Sequence, residues 1–78
     1  MNKEEVLYRL GRFCREFRKA NKWTQQTVAQ CVGVSPSQIS NFEHGKADTA
    51  TVFYWYLERI VLTTEWEEKL EEVCQGLD

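Results

Sequence analysis

The chain has 78 residues, of which 42% are hydrophobic and 28% charged, and its formal net charge is −2. This length allows a single domain, residues 1–78, whose core is so small that we expect dimerisation to reinforce it. No apolar run is long enough for a signal peptide or a membrane span, so we expect a cytoplasmic protein with no membrane partner.

Cysteine and histidine are too sparse and too widely spaced to form a metal site. Cys14, Cys31 and Cys74 make no C-x-x-C pair, and the lone His44 has no zinc-site spacing to them. Cys14 falls on an apolar helix face, where we expect a reduced, structural cysteine. The sequence also lacks a glycine-rich phosphate loop and a nucleophile–base arrangement. We therefore predict no metal, no other cofactor and no enzymatic activity.

The first predicted helix runs from Lys3 to Ala20. Its apolar residues form a stripe broad enough to face a core, namely Val6, Leu7, Leu10, Phe13, Cys14 and Phe17. Its cationic residues lie off that stripe, namely Arg9, Arg12, Arg15, Arg18 and Lys19. These cations form a solvated face or, for some of them, contacts to a DNA backbone. After a break at residues 21–22, Trp23 is expected to plug the space between the first and second helices.

Two short helices around a tight turn are predicted within residues 24–45. Thr24 is a good N-cap for the first of them, and Gly33 suits the left-handed residue at its end. Ser35 caps the next helix, Pro36 takes its first position, and Gln38 can complete a capping box. A helix, a short glycine-containing turn and a capped helix together predict a helix-turn-helix.

The second of these short helices buries only Ile39 and Phe42 before it ends near Gly45. Its other face carries small polar side chains that both donate and accept hydrogen bonds, namely Ser37, Gln38, Ser40 and Asn41. Such a face suits base edges in the DNA major groove. It also fits the bland alternative, the solvated side of a small surface helix.

Five residues around this unit are candidates for phosphate contacts. Lys22 and Gln25 lie at the start of a helix, where free N–H groups and the helix dipole favour an anion. Ser40, His44 and Lys46 lie on the recognition helix or in the loop after it, where the chain would follow the DNA backbone.

Two more helices are predicted, at about 49–62 and 65–76. The first would be capped by Asp48 or Thr49. Its inward face would consist of Phe53, Tyr56, Leu57 and Ile60. On or near its outside would lie Val52, Tyr54, Trp55 and Arg59. The second would begin with a capping box at residues 64–67. Because exposed apolar patches usually mark interfaces, we predict a dimer surface made by Trp55, Trp66, Leu70 and Val73. The alternative is that the fifth helix folds back and uses this stripe in its own core.

Charge is distributed unevenly along the chain. Residues 1–46 carry eight Lys and Arg against four Glu, a balance of +4, whereas residues 47–78 carry two against eight acidic residues, a balance of −6. The basic part contains the predicted helix-turn-helix, as a DNA-binding module requires.

The chain resembles the DNA-binding domain of the Cro and repressor proteins of lambdoid phages, the XRE-like regulators. The resemblance is carried by Thr24-Gln25, Ala29, residues 33–35, Ile39-Ser40 and residues 42–46. The similarity covers roughly residues 6–62. It implies an all-α, compact five-helix bundle of the lambda-repressor-like kind that binds operator DNA as a homodimer. It also implies that Gln25 contacts a phosphate and that positions 36, 37 and 41 face the bases.

Position 36 departs from the phage proteins, which often carry a hydrogen-bonding residue there. Pro36 can read a base only through apolar contact, for instance with a thymine methyl group. The predicted base-reading set is therefore Pro36, Ser37, Gln38 and Asn41, with specificity shifted toward the last three.

Two functions from different classes follow. The first is a sequence-specific transcriptional regulator. It could be a small Cro or repressor, a restriction–modification controller or an antitoxin-type regulator. Its homodimer would place two recognition helices about 34–36 Å apart on double-stranded DNA. The second is a protein-interaction module that binds a protein partner through the acidic, aromatic C-terminal surface.

Overall fold

The computed structural model describes residues 2–46 and 50–76. These residues form five helices and no strand: α1 (Lys3–Ala20), α2 (Gln25–Val32), α3 (Pro36–Glu43), α4 (Ala50–Ile60) and α5 (Thr64–Gln75). The predicted all-α five-helix architecture is confirmed.

α2 and α3 begin where their capping side chains predict. The Thr24 hydroxyl accepts from the Thr27 amide at 3.0 Å. The Ser35 hydroxyl accepts from the Gln38 amide at 3.2 Å, and the Gln38 carboxamide oxygen accepts from the Ser35 amide at 2.8 Å. These bonds satisfy amides that the first helical turn leaves without partners. Gly33 ends α2 in the left-handed conformation, with φ of 88°.

α1 is the central element, because it packs against α3, α4 and α5. Phe17, on its buried face, makes edge-to-face ring contacts with Trp23, Tyr56 and Trp66 at centroid distances of 5.3–6.3 Å. The core is completed by Phe13, Cys14, Val28, Ala29, Ile39, Phe42, Val52, Ile60 and Leu70. The predicted burial of Cys14 is confirmed.

Two glycines bring the backbone of α1 against the end of α3. A Cβ on Gly11 would overlap the Phe42 carbonyl oxygen, and a Cβ on Gly45 would lie 2.7 Å from the Tyr8 Cα. Gly45 also has a positive φ of 70°, a conformation that favours glycine. No side chain separates the two helices at these points.

α4 differs from the prediction in its buried face and its end. Val52 was expected outside but is fully buried with Tyr56 and Ile60, because α4 packs against α1, α2 and α5 and its core face is turned accordingly. The helix ends at Ile60 rather than at residue 62. The predicted caps Asp48 and Thr49 lie outside the described residues.

α5 begins without the predicted capping box. Its N-cap is Thr63 rather than Thr64, and the Thr63 hydroxyl donates to the Ile60 carbonyl at 3.1 Å, which closes α4 instead. The helix then folds back onto α1, and Trp66 contacts the rings of Phe13 and Phe17. The alternative considered for the apolar stripe of α5, use in its own core, is what the structure shows.

Trp23 joins α1 to α4. Its ring contacts Phe17 of α1 and Trp55 of α4, at centroid distances of 5.8 and 5.6 Å. The contact with α1 was predicted, and the contact with α4 was not. Among residues 2–46 and 50–76, no helix is long and apolar enough to cross a membrane.

Candidate nucleic-acid interface

α3 has one buried and one exposed face. Ile39, Phe42 and Glu43 are buried, whereas the predicted base-reading residues Pro36, Ser37, Gln38 and Asn41 are exposed. The spacing of Ser37, Asn41 and His44, i, i+4 and i+7, places them in one line along the helix, opposite the buried face. The arrangement presents a polar helical surface to solvent.

The carboxamide oxygen of Gln38 is already hydrogen-bonded within the protein. It accepts from the Ser35 amide in the capping box, which leaves the amide nitrogen as the group able to reach a base. Pro36 occupies the first helical position and is exposed. The predicted hydrogen-bonded reading of bases would therefore fall mainly on Ser37 and Asn41.

A buried ion pair holds the end of α3 against α1. Arg18 donates through Nε to one Glu43 oxygen at 2.7 Å and through Nη2 to the other at 3.1 Å. The Glu43 side chain is 0% exposed and that of Arg18 10%. The third guanidinium nitrogen, Nη1, donates to the Trp23 carbonyl at 2.9 Å.

The hydrogen bond to Glu43 raises the pKa of Arg18, against the lowering effect of burial. The prediction that Arg18 is a surface or phosphate-contacting cation is wrong, and its pairing with Glu43 was not predicted. Two signals could have found them: Glu43 follows Phe42 on the buried face of α3, and Arg18 adjoins the core residue Phe17 and lies four residues after Cys14.

Gln25, at the start of α2, joins this ion pair to the second helix. Its amide nitrogen donates to a Glu43 oxygen at 3.1 Å. One carboxylate therefore links the first helical turn of α2, the end of α3 and the last turn of α1. The two helices of the motif are fixed relative to each other by a directed polar contact as well as by apolar packing.

The remaining phosphate candidates lie at the two ends of the motif. Lys22 is exposed and left-handed, with φ of 60°. At the other end, His44 bonds through Nδ1 to the carbonyl of half-buried Ser40 at 2.7 Å, which fixes the ring. His44 and exposed Lys46 line a cavity of about 560 Å³ together with Tyr8. Lys22 therefore lies before α2, whereas His44 and Lys46 follow α3.

The family model described as "Helix-turn-helix domain" matches residues 11–70. The chain belongs to the helix-turn-helix domain family. Neither a curated protein nor a solved structure gave a significant match. The family indicates a DNA-binding regulator, and α2 and α3 are the two helices of its motif.

The four side chains predicted to form a dimer surface in this helix-turn-helix domain are largely used inside the monomer. Leu70 is in the core, and Trp66 and Val73 pack against it. Trp55 contacts Trp23 and Tyr56, and Arg59 lies 3.8 Å from the centre of its ring. The large apolar side chains left exposed on α4 and the turn after it are instead Tyr54 (66%), Val61 (49%) and Leu62 (82%).

Two weak acids are buried beneath the helix-turn-helix. Tyr56 stacks on Phe42 of α3, and its hydroxyl has no hydrogen-bond partner among residues 2–46 and 50–76. Burial, and then the charge of Glu43, raise the pKa of Tyr56 and of Cys14 far above their ordinary values. Across the described part of the chain, no group of three or more His, Cys, Asp or Glu residues could hold a metal ion.

Proposed function

We propose that this helix-turn-helix domain is a sequence-specific transcriptional regulator that reads a pseudo-palindromic operator through α3. The observation that carries the proposal is the division of α3 into two faces. One face is locked to α1 and α2 by Ile39, Phe42 and the Arg18–Glu43 pair. The other exposes a polar surface suited to the major groove.

The charge distribution supports this orientation. The basic part of the chain, residues 1–46, contains α3, whereas exposed glutamates concentrate on α5. A duplex lying along α3 would meet the cationic part of the protein and leave the acidic helix away from phosphates. We propose Lys22, Gln25, Ser40, His44 and Lys46 as phosphate contacts within that footprint.

The base-reading proposal is tested by Asn41→Ala, because Asn41 is exposed in the middle of the polar face. Duplexes that bind the wild type would be selected from a random-sequence pool. We expect the variant to lose about 1–3 kcal/mol of specific binding, measured by fluorescence anisotropy, with its melting curve unchanged. Gln75→Ala removes an exposed amide from α5 and is the matched control. Equal affinity of the Asn41 variant and the control would remove Asn41 from the reading set.

We also propose that the regulator acts as a homodimer, because two half-sites allow a small module to recognise an operator. The exposed apolar side chains Tyr54, Val61 and Leu62 support a surface on α4 and the turn after it, and Trp55 lines a groove together with Tyr54. Leu62→Glu should shift the mass measured by light scattering toward the monomer and weaken operator binding. A variant that keeps the wild-type mass would exclude this surface.

The second function, a protein-interaction module, is favoured by one observation: α5 exposes Glu68, Glu71 and Glu72 on its solvent side. An acidic helix of this kind fits a basic protein partner. The two functions are separated by the duplex selection, because an interaction module would select no sequence.

A further inference from the structure

α1 carries a line of cations outside the helix-turn-helix. Arg12, Arg15 and Lys19 recur at i, i+3 and i+7, a spacing that places them along one side of the helix. Arg12 and Lys19 are exposed and Arg15 is half-buried. We call these three residues the α1 basic stripe; Lys22, already proposed as a phosphate contact, follows the end of the helix.

We propose that the α1 basic stripe binds DNA phosphates beside those contacted by the helix-turn-helix, so that α1 is part of the DNA-binding surface. The proposal rests on the proposed function, since it requires that α3 approach a duplex. It assigns α1 a binding role in addition to its role as the central packing element.

The stripe lies beside the end of α3. Arg15 Nε is 4.0 Å from an oxygen of Glu43, the last residue of α3. About two helical turns toward the N-terminus, Tyr8 touches the backbone at Gly45. Arg12 donates to the Tyr8 hydroxyl at 3.2 Å. The α1 flank that bears these side chains therefore borders the helix proposed to enter the major groove.

Arg15 retains its charge for an external anion. The Glu43 carboxylate already receives two short hydrogen bonds from Arg18 and one from Gln25, whereas Arg15 reaches it only at 4.0 Å. The Arg15 side chain is 39% exposed, in contrast to the buried Arg18. A phosphate could pair with Arg15 without opening the buried ion pair.

Arg9 lies outside the stripe, on the side of α1 that faces α5. Arg9, Arg12 and Glu16 line a groove of about 500 Å³ together with Lys69 and Glu72 of α5, so Arg9 has carboxylates as neighbours. Arg12 is thus the stripe residue that reaches this groove, whereas Arg15 and Lys19 are not among its lining residues. Arg9 therefore serves as a control cation on the same helix.

The length of the stripe suits a nucleic-acid backbone. The seven-residue step from Arg12 to Lys19, at a rise of about 1.5 Å per residue, spans about 10 Å. Double-stranded DNA carries one negative charge for about every 1.7 Å of its axis, so a stripe of this length laid against it meets several phosphates. Linear arrays of cations bind such a polyanion through release of its counterions.

The experiment measures how DNA affinity depends on salt for the triple variant Arg12→Gln/Arg15→Gln/Lys19→Gln. Each lost phosphate contact should reduce the slope of log K against log salt concentration by about 0.9. We therefore expect a slope shallower by about 0.9–2.7, equal weakening of selected and random duplexes, and an unchanged preference between them. Arg9→Gln/Lys69→Gln should keep the wild-type slope, and melting curves should show that both variants fold.

Two outcomes overturn the proposal in distinguishable ways. A triple variant with the wild-type slope, while the wild type binds DNA, refutes the stripe alone and points to an acidic protein as its partner. A wild type that binds no duplex refutes the stripe together with the proposed function. An equal loss of slope in the control would assign the effect to general charge and refute a localised contact.

Discussion

Breaking the ion pair at the end of α3 should destabilise the whole domain. Arg18→Met keeps most of the aliphatic volume and removes the guanidinium group. Glu43, whose side chain is 0% exposed, then keeps the Gln25 hydrogen bond at 3.1 Å and has Arg15 at 4.0 Å as its nearby cation. Three hydrogen bonds disappear, two to Glu43 and one to the Trp23 carbonyl.

The loss can be sized from these contacts. Removing one partner of a buried ion pair typically costs about 3–5 kcal/mol, because the other charge stays buried. Gln25 and Arg15 compensate in part, which favours the lower end, about 3 kcal/mol. For a domain of this size, where 1 kcal/mol shifts Tm by about 4–8 °C, the midpoint should fall by roughly 12–24 °C.

Urea denaturation followed by circular dichroism measures the free energy of unfolding of the wild type and the variant. The double variant Arg18→Met/Glu43→Leu is the control, because it removes both charges and should recover most of the loss. A loss below about 1 kcal/mol in Arg18→Met would refute the reasoning that Glu43 depends on Arg18. A double variant as unstable as the single one would show that packing of the Arg18 stem matters more than charge.

Three further predictions concern the core and the turn before α2. The free energy of unfolding should fall as the pH rises above about 9. In the unfolded chain Cys14 and Tyr56 lose their protons near their ordinary pKa values of 9.0 and 10.0, whereas the folded chain keeps both protons. Each group therefore lowers the free energy of unfolding by up to about 1.4 kcal/mol per pH unit. Tyr56→Phe should reduce this loss and add about 1 kcal/mol at neutral pH, since the hydroxyl has no partner in the described ranges; a steeper alkaline loss on urea titration would contradict this. A thiol reagent should modify Cys31 and Cys74 quickly and Cys14 only after denaturant is added, whereas three fast thiols would place Cys14 at the surface. Lys22→Gly should raise the free energy of unfolding by roughly 0.5 kcal/mol by relieving the positive φ, and a lower Tm would exclude that strain.

The parts of the fold that were predictable are those set by local chemistry. Thr24, Gly33 and Ser35 determine the ends of α2 and α3 through hydrogen bonds and dihedral angles within a few residues, and the structure confirms them. The start of α5 was mispredicted by one residue, because its N-cap is Thr63 and not Thr64. The Thr63 hydroxyl donates to the last residue of α4 and caps no amide of α5. Two adjacent threonines gave no local reason to prefer one.

The parts that were not predictable depend on contacts between distant segments. Val52 is buried because α4 packs against three other helices. The spacing of apolar residues within α4 does not reveal how many helices will pack against it. Arg18 and Glu43 are 25 residues apart, so their pairing could not be seen from either helix alone. The roles of Ser37, Asn41 and the phosphate candidates in DNA contact stay predictions.

The close approach at Gly11 and Gly45 bears on how the proposed DNA specificity of this domain could evolve. The tilt of α3 relative to α1 is set there by main chain against main chain, on the side away from Ser37 and Asn41. If α3 reads an operator as proposed, substitutions on its outer face would change the atoms presented to a duplex without changing the angle of the helix. New operator preferences could then accumulate at these positions at little thermodynamic cost, whereas a side chain at position 11 would change the angle of the helix and alter every contact at once.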